Sequence, residues 1–236
     1  MMIKPDAWLS EQLGRPAFAV AVAASTPAEV AAAFAAHHSP ANAFYTAKVG
    51  ALDVALVDAL SAAGFSVIES SLTFSRPIER HAPVAQVSVY QPKWRDAVLD
   101  IAEHAFIYTR FHADPKIGRS VADRIKREWI QSYVDGRRGD ALLVAHEGDT
   151  VVGFNALLVS DRPSGPVAVI DLIGVHRNHQ QRGIGRLMVD GGLHHYQERC
   201  GAMEVGTQAS NVPSVRLYER MGFRLIRSGF VLHRHG

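Results

Sequence analysis

HRNHQQRGIGRLMV, His176 to Val189, sets two glycines one residue apart among basic side chains, directly after the apolar run Val167 to Val175. A strand, a glycine loop and an uncapped helix start together aim several backbone N–H groups and the positive helix end at one point, which is an anion site by construction. Gly183 and Gly185 let the main chain come close to a bulky ligand. A Walker loop is excluded, since Gly185 is followed by Arg186 and Leu187 rather than Lys and Ser/Thr. A dinucleotide fingerprint needs a third glycine, where Met188 stands. What remains is Gln-x-x-Gly-x-Gly, at Gln180, Gly183 and Gly185.

Around this loop the chain reads as α/β. Its first part gives a strand (Phe18 to Ala23), a helix (Pro27 to His37), a second helix (Asp53 to Ala63) with Gly64 as its left-handed cap, and a strand (Phe65 to Phe74). The charged, proline-bearing SRPIERHAP, Ser75 to Pro83, has no periodicity and marks a domain boundary, giving an N-terminal α/β domain over 1–80 and a larger domain over 84–236. The second domain opens with a strand (Gln86 to Tyr90) and helices over Trp94 to Ala105 and Ser120 to Val134. A hairpin follows (Ala141 to Ala145, Thr150 to Leu158), then the strand Val167 to Val175, the loop, and a helix to about Arg199. A strand (Met203 to Thr207), a short helix (Pro213 to Arg220) and a terminal hairpin end the chain. Such connections predict a mixed, mostly antiparallel sheet flanked by helices.

One internal echo stands out. LSAAGFSVIESSLTF (Leu60 to Phe74) matches YERMGFRLIRSGFVL (Tyr218 to Leu232) at Gly64/Gly222, Phe65/Phe223, Ile68/Ile226 and Ser70/Ser228. A common helix-to-strand corner produces such matches by chance; the sharper reading makes the N-terminal domain a degenerate copy of part of the C-terminal one.

Bulk composition narrows the function classes. With 47% hydrophobic and 20% charged residues over 236 positions, the chain reads as an ordinary globular protein able to bury a large core. A net charge of +2 with scattered bases argues against nucleic acid as partner. The single cysteine, Cys200, suits a reducing compartment, and no apolar run approaches the ~20 residues that cross a bilayer, so no membrane partner and a cytoplasmic location are expected. His194, His195 and Cys200, and the terminal His233-Arg234-His235, are of metal-ligand type, but neither spacing forms a zinc set and no metal is expected.

LIGVHRNHQQRGIGRLMVD resembles the acetyl-CoA motif of the GNAT N-acetyltransferase superfamily, and Asn211, Tyr218 and Gly222-Phe223 in NVPSVRLYERMGF resemble that family's downstream Asn, Tyr and Gly-Phe corner. The resemblance implies the GNAT acyl-CoA N-acyltransferase fold and acetyl-CoA as co-substrate. It places His179, Gln180, Gln181, Arg182, Gly183, Ile184 and Gly185 on the CoA pyrophosphate, Ile173 and Val175 along the pantetheine and thioester, and Asn211 beside the cofactor. Asn211 and Tyr218 are seven residues apart, about two helical turns, and so share a helix side. Transfer of an acetyl group to an amine needs a proton for the departing thiolate and a base for the amine. Tyr218 is the expected general acid, while Glu69 and Asp171 compete as base.

Scattered matches over both domains, among them Trp8, Gly14, Lys48, Glu69, Arg110, Phe111, Trp129, Thr207 and Gln208, resemble a GNAT subgroup that acetylates dTDP-linked 4-amino-4,6-dideoxy sugars for cell-surface polysaccharide. That likeness favours Glu69 over Asp171, suggests Arg110 and Trp129 as acceptor contacts, and implies a nucleotide-linked amino sugar as partner and a homodimer. The segment Phe111 to Ser120 departs from the subgroup, which leaves the sugar open. Alternatives are a GNAT enzyme acting on a peptide or other small amine, and a non-catalytic CoA-binding module.

Overall fold

The computed structural model describes residues 1–236. The first half runs β1 (Met2–Pro5), α1 (Ala7–Leu13), β2 (Ala17–Ala21), α2 (Pro27–Ala36), β3 (Phe44–Gly50), α3 (Val54–Ala62) and β4 (Ser66–Pro77). The second runs β5 (Val87–Val89), α4 (Arg95–His104), α5 (Arg110–Ala113), α6 (Arg119–Val134), β6 (Ala141–Glu147), β7 (Thr150–Arg162), β8 (Gly165–Val175), α7 (Ile184–Tyr196), β9 (Ala202–Gln208), α8 (Val212–Arg220) and β10 (Arg224–His235). All ten strands join one sheet in the order β1-β2-β3-β10-β4-β9-β8-β7-β6-β5. Only β2–β3 and β8–β9 pair in parallel, which gives the mixed, mostly antiparallel sheet with flanking helices that the sequence predicts.

The sheet continues across the boundary expected near residue 80. Strand β10, from the second half, lies between β3 and β4 of the first, and β4 in turn lies between β9 and β10. Each half therefore supplies a strand inside the other's sheet. The terminal hairpin is a correction: Arg224–His235 is one unbroken strand. Gly229 is a mid-strand residue, and a Cβ there would run into the Val49 carbonyl of β3. The glycine allows a close backbone approach rather than a bend.

The internal echo has a geometric counterpart. With the offset of 158 residues from Gly64 to Gly222, the β3–β10 pairing Gly50↔Gly229 maps onto the β9–β4 pairing Gln208↔Ser71. Between β4 and β10, Ser70↔Phe230 maps onto Ser228↔Leu72. Ile68 and Ile226 are the residues skipped at the two register shifts of this ladder, so both halves carry a bulge at the same place. Gly64 (φ 89°) and Gly222 (φ 80°) both take the left-handed turn after a helix, and Phe65 and Phe223 are both buried. Each half also has one parallel ladder, Ala17–Val20 on Phe44–Ala47 and Val167–Ile170 on Ala202–Val205; Phe44 and Ala202 keep the offset of 158, while Ala17 and Val167 are 150 apart.

Core side chains cover both faces. The largest cluster packs Met188, Val189, Leu193 and Tyr196 of α7 on Met203 and Val205 of β9, with Tyr218 and Phe223 beyond. The N-terminal cluster seats Val30 of α2 and Leu60 of α3 on Tyr45, Ala47 and Leu232. Burial of each large apolar side chain is worth about 2 kcal/mol, and this is what holds the sheet's helices in place. No helix is long and apolar enough to cross a membrane.

Candidate active site

Strands β8 and β9 run together only as far as Ile170↔Val205. Strand β8 continues to Val175 and β9 to Gln208 with no further pairing between them, so the sheet opens into a V there. Ile173 and Val175 stand on the arm of this V, bonded to β7 on one side (Asn155↔Ile173, Gly153↔Val175) and to no strand on the other. Backbone polar groups along such an arm need a partner from outside the sheet.

The arm leads into the glycine loop. Gln180 is extended and its side-chain amide donates to the Val175 carbonyl at 3.3 Å. Gln181 takes a left-handed backbone (φ 62°), uncommon for a residue with a side chain. Gly183 (φ 82°) is the N-cap of α7, and no side chain caps that helix. The first α7 bond runs from Leu187 N–H to the Gly183 carbonyl, leaving the N–H groups of Ile184, Gly185 and Arg186 unused at the helix's positive end. Open space surrounds Gly183, whereas a Cβ on Gly185 would lie 3.2 Å from Leu217 of α8. Ile184 is buried, so it offers the loop only its backbone.

Arg182 and His179 do not point to the helix end in isolation. Glu147, the last residue of β6, accepts from Arg182 at 3.1 Å and lies 3.4 Å from the His179 ring. Asn211 caps α8, its side-chain oxygen accepting from Ser214 N–H at 3.3 Å. One helix thereby carries both Asn211 and Tyr218.

Tyr218 is 2% exposed and packs against Phe74 and Phe223. No protein group bonds its hydroxyl, and burial pushes its pKa up, so the phenol keeps its proton at neutral pH. Phe74 points to the side of β4 that carries α7 and α8; Glu69, Ser71 and Thr73, by the alternation of a strand, point to the other. On that other side a cleft of about 590 Å³ is lined by Lys48, Glu69, Arg110, Lys126, Trp129, Asp171, Gln208 and Arg227, among others, and reaches Ile170 and Val205 at the mouth of the V. The structure thus places the helix end and Tyr218 on one side of the opening and Glu69, Arg110 and Trp129 on the other.

The two carboxylates differ sharply. Asp171 accepts from Trp129 Nε1 (2.8 Å), the Tyr133 hydroxyl (2.8 Å) and both Nε and Nη2 of Arg138 (2.7 and 3.0 Å). Burial works to raise its pKa, but the Arg138 and Trp129 hydrogen bonds win and hold it below the usual range. Glu69 has no ion-pair partner, and its Oε2 is buried without a hydrogen bond. Burial pushes its pKa up against the pull of Arg110, a hydrogen bond from the Gln208 side chain, and the charges of Lys126 and Lys48. A filled, acidic carboxylate is a poor base and an unfilled one with a raised pKa is a good one.

Two features escape a reading of the sequence. Lys126 is 7% exposed, has no anionic partner, and lies over the rings of Trp129 (4.8 Å), Phe106 and Phe111 (both 5.8 Å). Burial brings its pKa down to about 8. The signal was a lysine on the buried stripe Ala122, Lys126, Ile130, Tyr133 of α6. The second is a cluster at the end of α5, where Asp114 accepts from His233 Nδ1 (2.7 Å) and His235 Nε2 (2.9 Å). These three offer metal-ligand atoms within 4.8 Å of one another. Arg15, however, donates to His235 Nδ1 at 2.8 Å, which puts the proton of a neutral His235 ring on Nε2, facing Asp114. That arrangement ties the chain's last strand to α5.

Comparisons with known proteins agree with this geometry. The model of the Acetyltransferase (GNAT) family matches residues 96–223. The spore coat polysaccharide biosynthesis protein SpsD of Bacillus subtilis is 24% identical over 156 residues, 66% of this chain and 52% of that protein. A mycothiol acetyltransferase of Propionibacterium freudenreichii is 26% identical over 154 residues, 64% of this chain and 47% of its own. The chain spans about half the length of these curated relatives. Among solved structures, a GCN5-related N-acetyltransferase from Kribbella flavida superposes with a TM-score of 0.56 at 16% identity, over 94% of this chain and 82% of that one.

Proposed function

Because the chain belongs to the GNAT acetyltransferase family, we propose that it transfers an acetyl group from acetyl-CoA to the amine of a nucleotide-linked amino sugar of the dTDP-4-amino-4,6-dideoxyhexose kind. The observation that carries this reading is the opening between β8 and β9, with an uncapped helix end and a protonated tyrosine on one side and an unpaired carboxylate on the other.

The residues fit the co-substrate. Backbone N–H groups of Ile184, Gly185 and Arg186, with the bare space over Gly183, suit a pyrophosphate. Gln180, Gln181, Arg182 and His179 border it, and Ile173 and Val175 offer their unpaired backbone edge to an extended amide chain. Acetyl-CoA, when bound, supplies an activated thioester at the mouth of the V. Glu69 takes the proton from the incoming amine, directly or through one water. Lys48, Arg110 and Lys126 nearby disfavour the ammonium form of that amine and so favour the nucleophile. Tyr218 delivers a proton to the departing sulfur; position governs this step, because its hydroxyl is otherwise uncommitted.

Support for the acceptor class comes from the resemblance over both halves and from a relative named for polysaccharide biosynthesis. Trp129 lines the acceptor side of the cleft, its N–H being held by Asp171. Thiol release from acetyl-CoA in the presence of nucleotide-linked amino sugars tests the reading. Turnover supports it, and its absence on every such sugar removes it.

A further inference from the structure

The cleft holds more positive charge than its own carboxylates neutralise. Arg162 is paired with Glu204 and Asp171 with Arg138. Lys48, Arg110, Lys126 and Arg227 then face a single unpaired carboxylate, Glu69. Arg227 is the counterpart of Glu69 under the 158-residue offset and sits at the exposed rim. Arg110 and Lys126 sit deeper, on neighbouring helices.

These two are held ready. Arg110 Nη1 donates to Thr46 Oγ1 at 3.0 Å, and its guanidinium lies 4.7 Å from the centre of the Phe111 ring. Its remaining donors are not taken by any carboxylate. Lys126 is more than nine-tenths buried and lines the cleft with its ammonium over the rings of Trp129, Phe106 and Phe111 and bonded to no carboxylate. A buried cation without a counter-ion is unfavourable unless a ligand brings one.

We propose that Lys126 of α6 and Arg110 of α5 form an anion subsite that takes a phosphate-type group of the acceptor. This rests on the reading of the cleft as the acceptor side. A single carboxylate leaves most of the excess charge uncompensated, whereas a diphosphate bears two negative charges and offers the several oxygens that a guanidinium fork and an ammonium engage together. The subsite orients the acceptor so that its amine faces Glu69.

The test is calorimetric titration of inorganic pyrophosphate and of dTDP into the full chain, with saturating CoA present to block the glycine loop. Both probes bind the natural chain, more tightly than succinate does. Lys126→Met and Arg110→Gln each weaken them by about tenfold or more, and Lys126→Arg retains most of the affinity. Thermal melts show that each variant folds. Variants that bind both probes as tightly as the natural chain overturn the subsite, as does loss of all probe binding once CoA is present. The two proposals fail separately. Amino-sugar turnover with an unchanged KM in Lys126→Met removes the subsite and keeps the reaction; probe binding that Lys126→Met weakens, without turnover of any amino sugar, does the reverse.

Discussion

Ser71 of β4 and Gly229 of β10 face each other across the sheet, and each is the other's counterpart under the offset that relates the two halves. A local twofold axis passes between them. The cleft lies on that axis, lined by counterparts such as Gly50 and Gln208 or Glu69 and Arg227. The halves differ where chemistry is concerned. Leu60 stands where the second half has Tyr218, and Asp53 where it has Asn211. The helix corresponding to α7 is α2, and its N-terminus is closed by a capping box in which the Glu29 carboxylate accepts from Thr26 N–H at 2.7 Å. A carboxylate there repels a pyrophosphate. One acetyl-CoA per chain is therefore expected, and a calorimetric stoichiometry of two contradicts the account of the N-terminal half.

Tyr218→Phe removes a hydroxyl that no protein group bonds, so the fold loses nothing measurable. The melting temperature stays within about 1 °C, while kcat falls by about a hundredfold or more and the KM for acetyl-CoA is kept. A matching loss of stability indicates a structural tyrosine instead.

Glu69→Gln tests the base. Its carboxyl has a raised pKa and acts deprotonated, so the natural chain loses rate as the pH falls through that pKa. In Glu69→Gln the rate is lower by about a hundredfold and this acid limb disappears. Asp171→Asn, by contrast, removes the negative charge and one of the two acceptor oxygens that Trp129, Tyr133 and Arg138 share, and acts chiefly on stability.

Anion affinity in the cleft depends on pH in the other direction. Lys126, with a pKa near 8, faces Arg110 from α5, Glu69 from β4, Lys48 from β3 and the Asp171–Arg138 pair from β8 and the α6–β6 turn. Its charge is present below that value and lost above it. Pyrophosphate binding thus weakens as the pH rises through about 8 and beyond; Lys126→Arg flattens the dependence.

Asp114→Asn measures the joint between β10 and α5. Against its own burial, hydrogen bonds from His233 and His235 hold the Asp114 carboxyl well below the usual range. Its contribution is present above the unfolded pKa of about 4 and lost as the pH falls below it. Equilibrium denaturation at pH 7 is expected to show a loss of about 2–3 kcal/mol for the variant.

Much of this was legible in the sequence because the informative features were local. The strand, loop and helix around Gly183, the Gly-Phe corners and the two matched isoleucines each fit within a few residues. What escaped depended on pairing at long range. The expected terminal hairpin is one strand because Gly229 closes on Val49, which lies in a strand of the other half. Asp114 and His233 meet across 119 residues. The competition between Glu69 and Asp171 turned on Arg138, Trp129 and Tyr133, whose convergence on Asp171 no local pattern announces. The V between β8 and β9 is a missing ladder, and missing pairs leave no mark in composition or periodicity.

The central claim is acetyl transfer to a nucleotide-linked amino sugar at the Glu69–Tyr218 opening. The most direct measurement offers the chain limiting acetyl-CoA with equal amounts of a dTDP-4-amino-4,6-dideoxyhexose, a simple amino sugar and a short peptide amine, and identifies the acetylated product by mass. The account predicts acetyl on the nucleotide-linked sugar nearly alone, and little product of any kind from Tyr218→Phe. Acetyl found mainly on the peptide or the simple amine contradicts it.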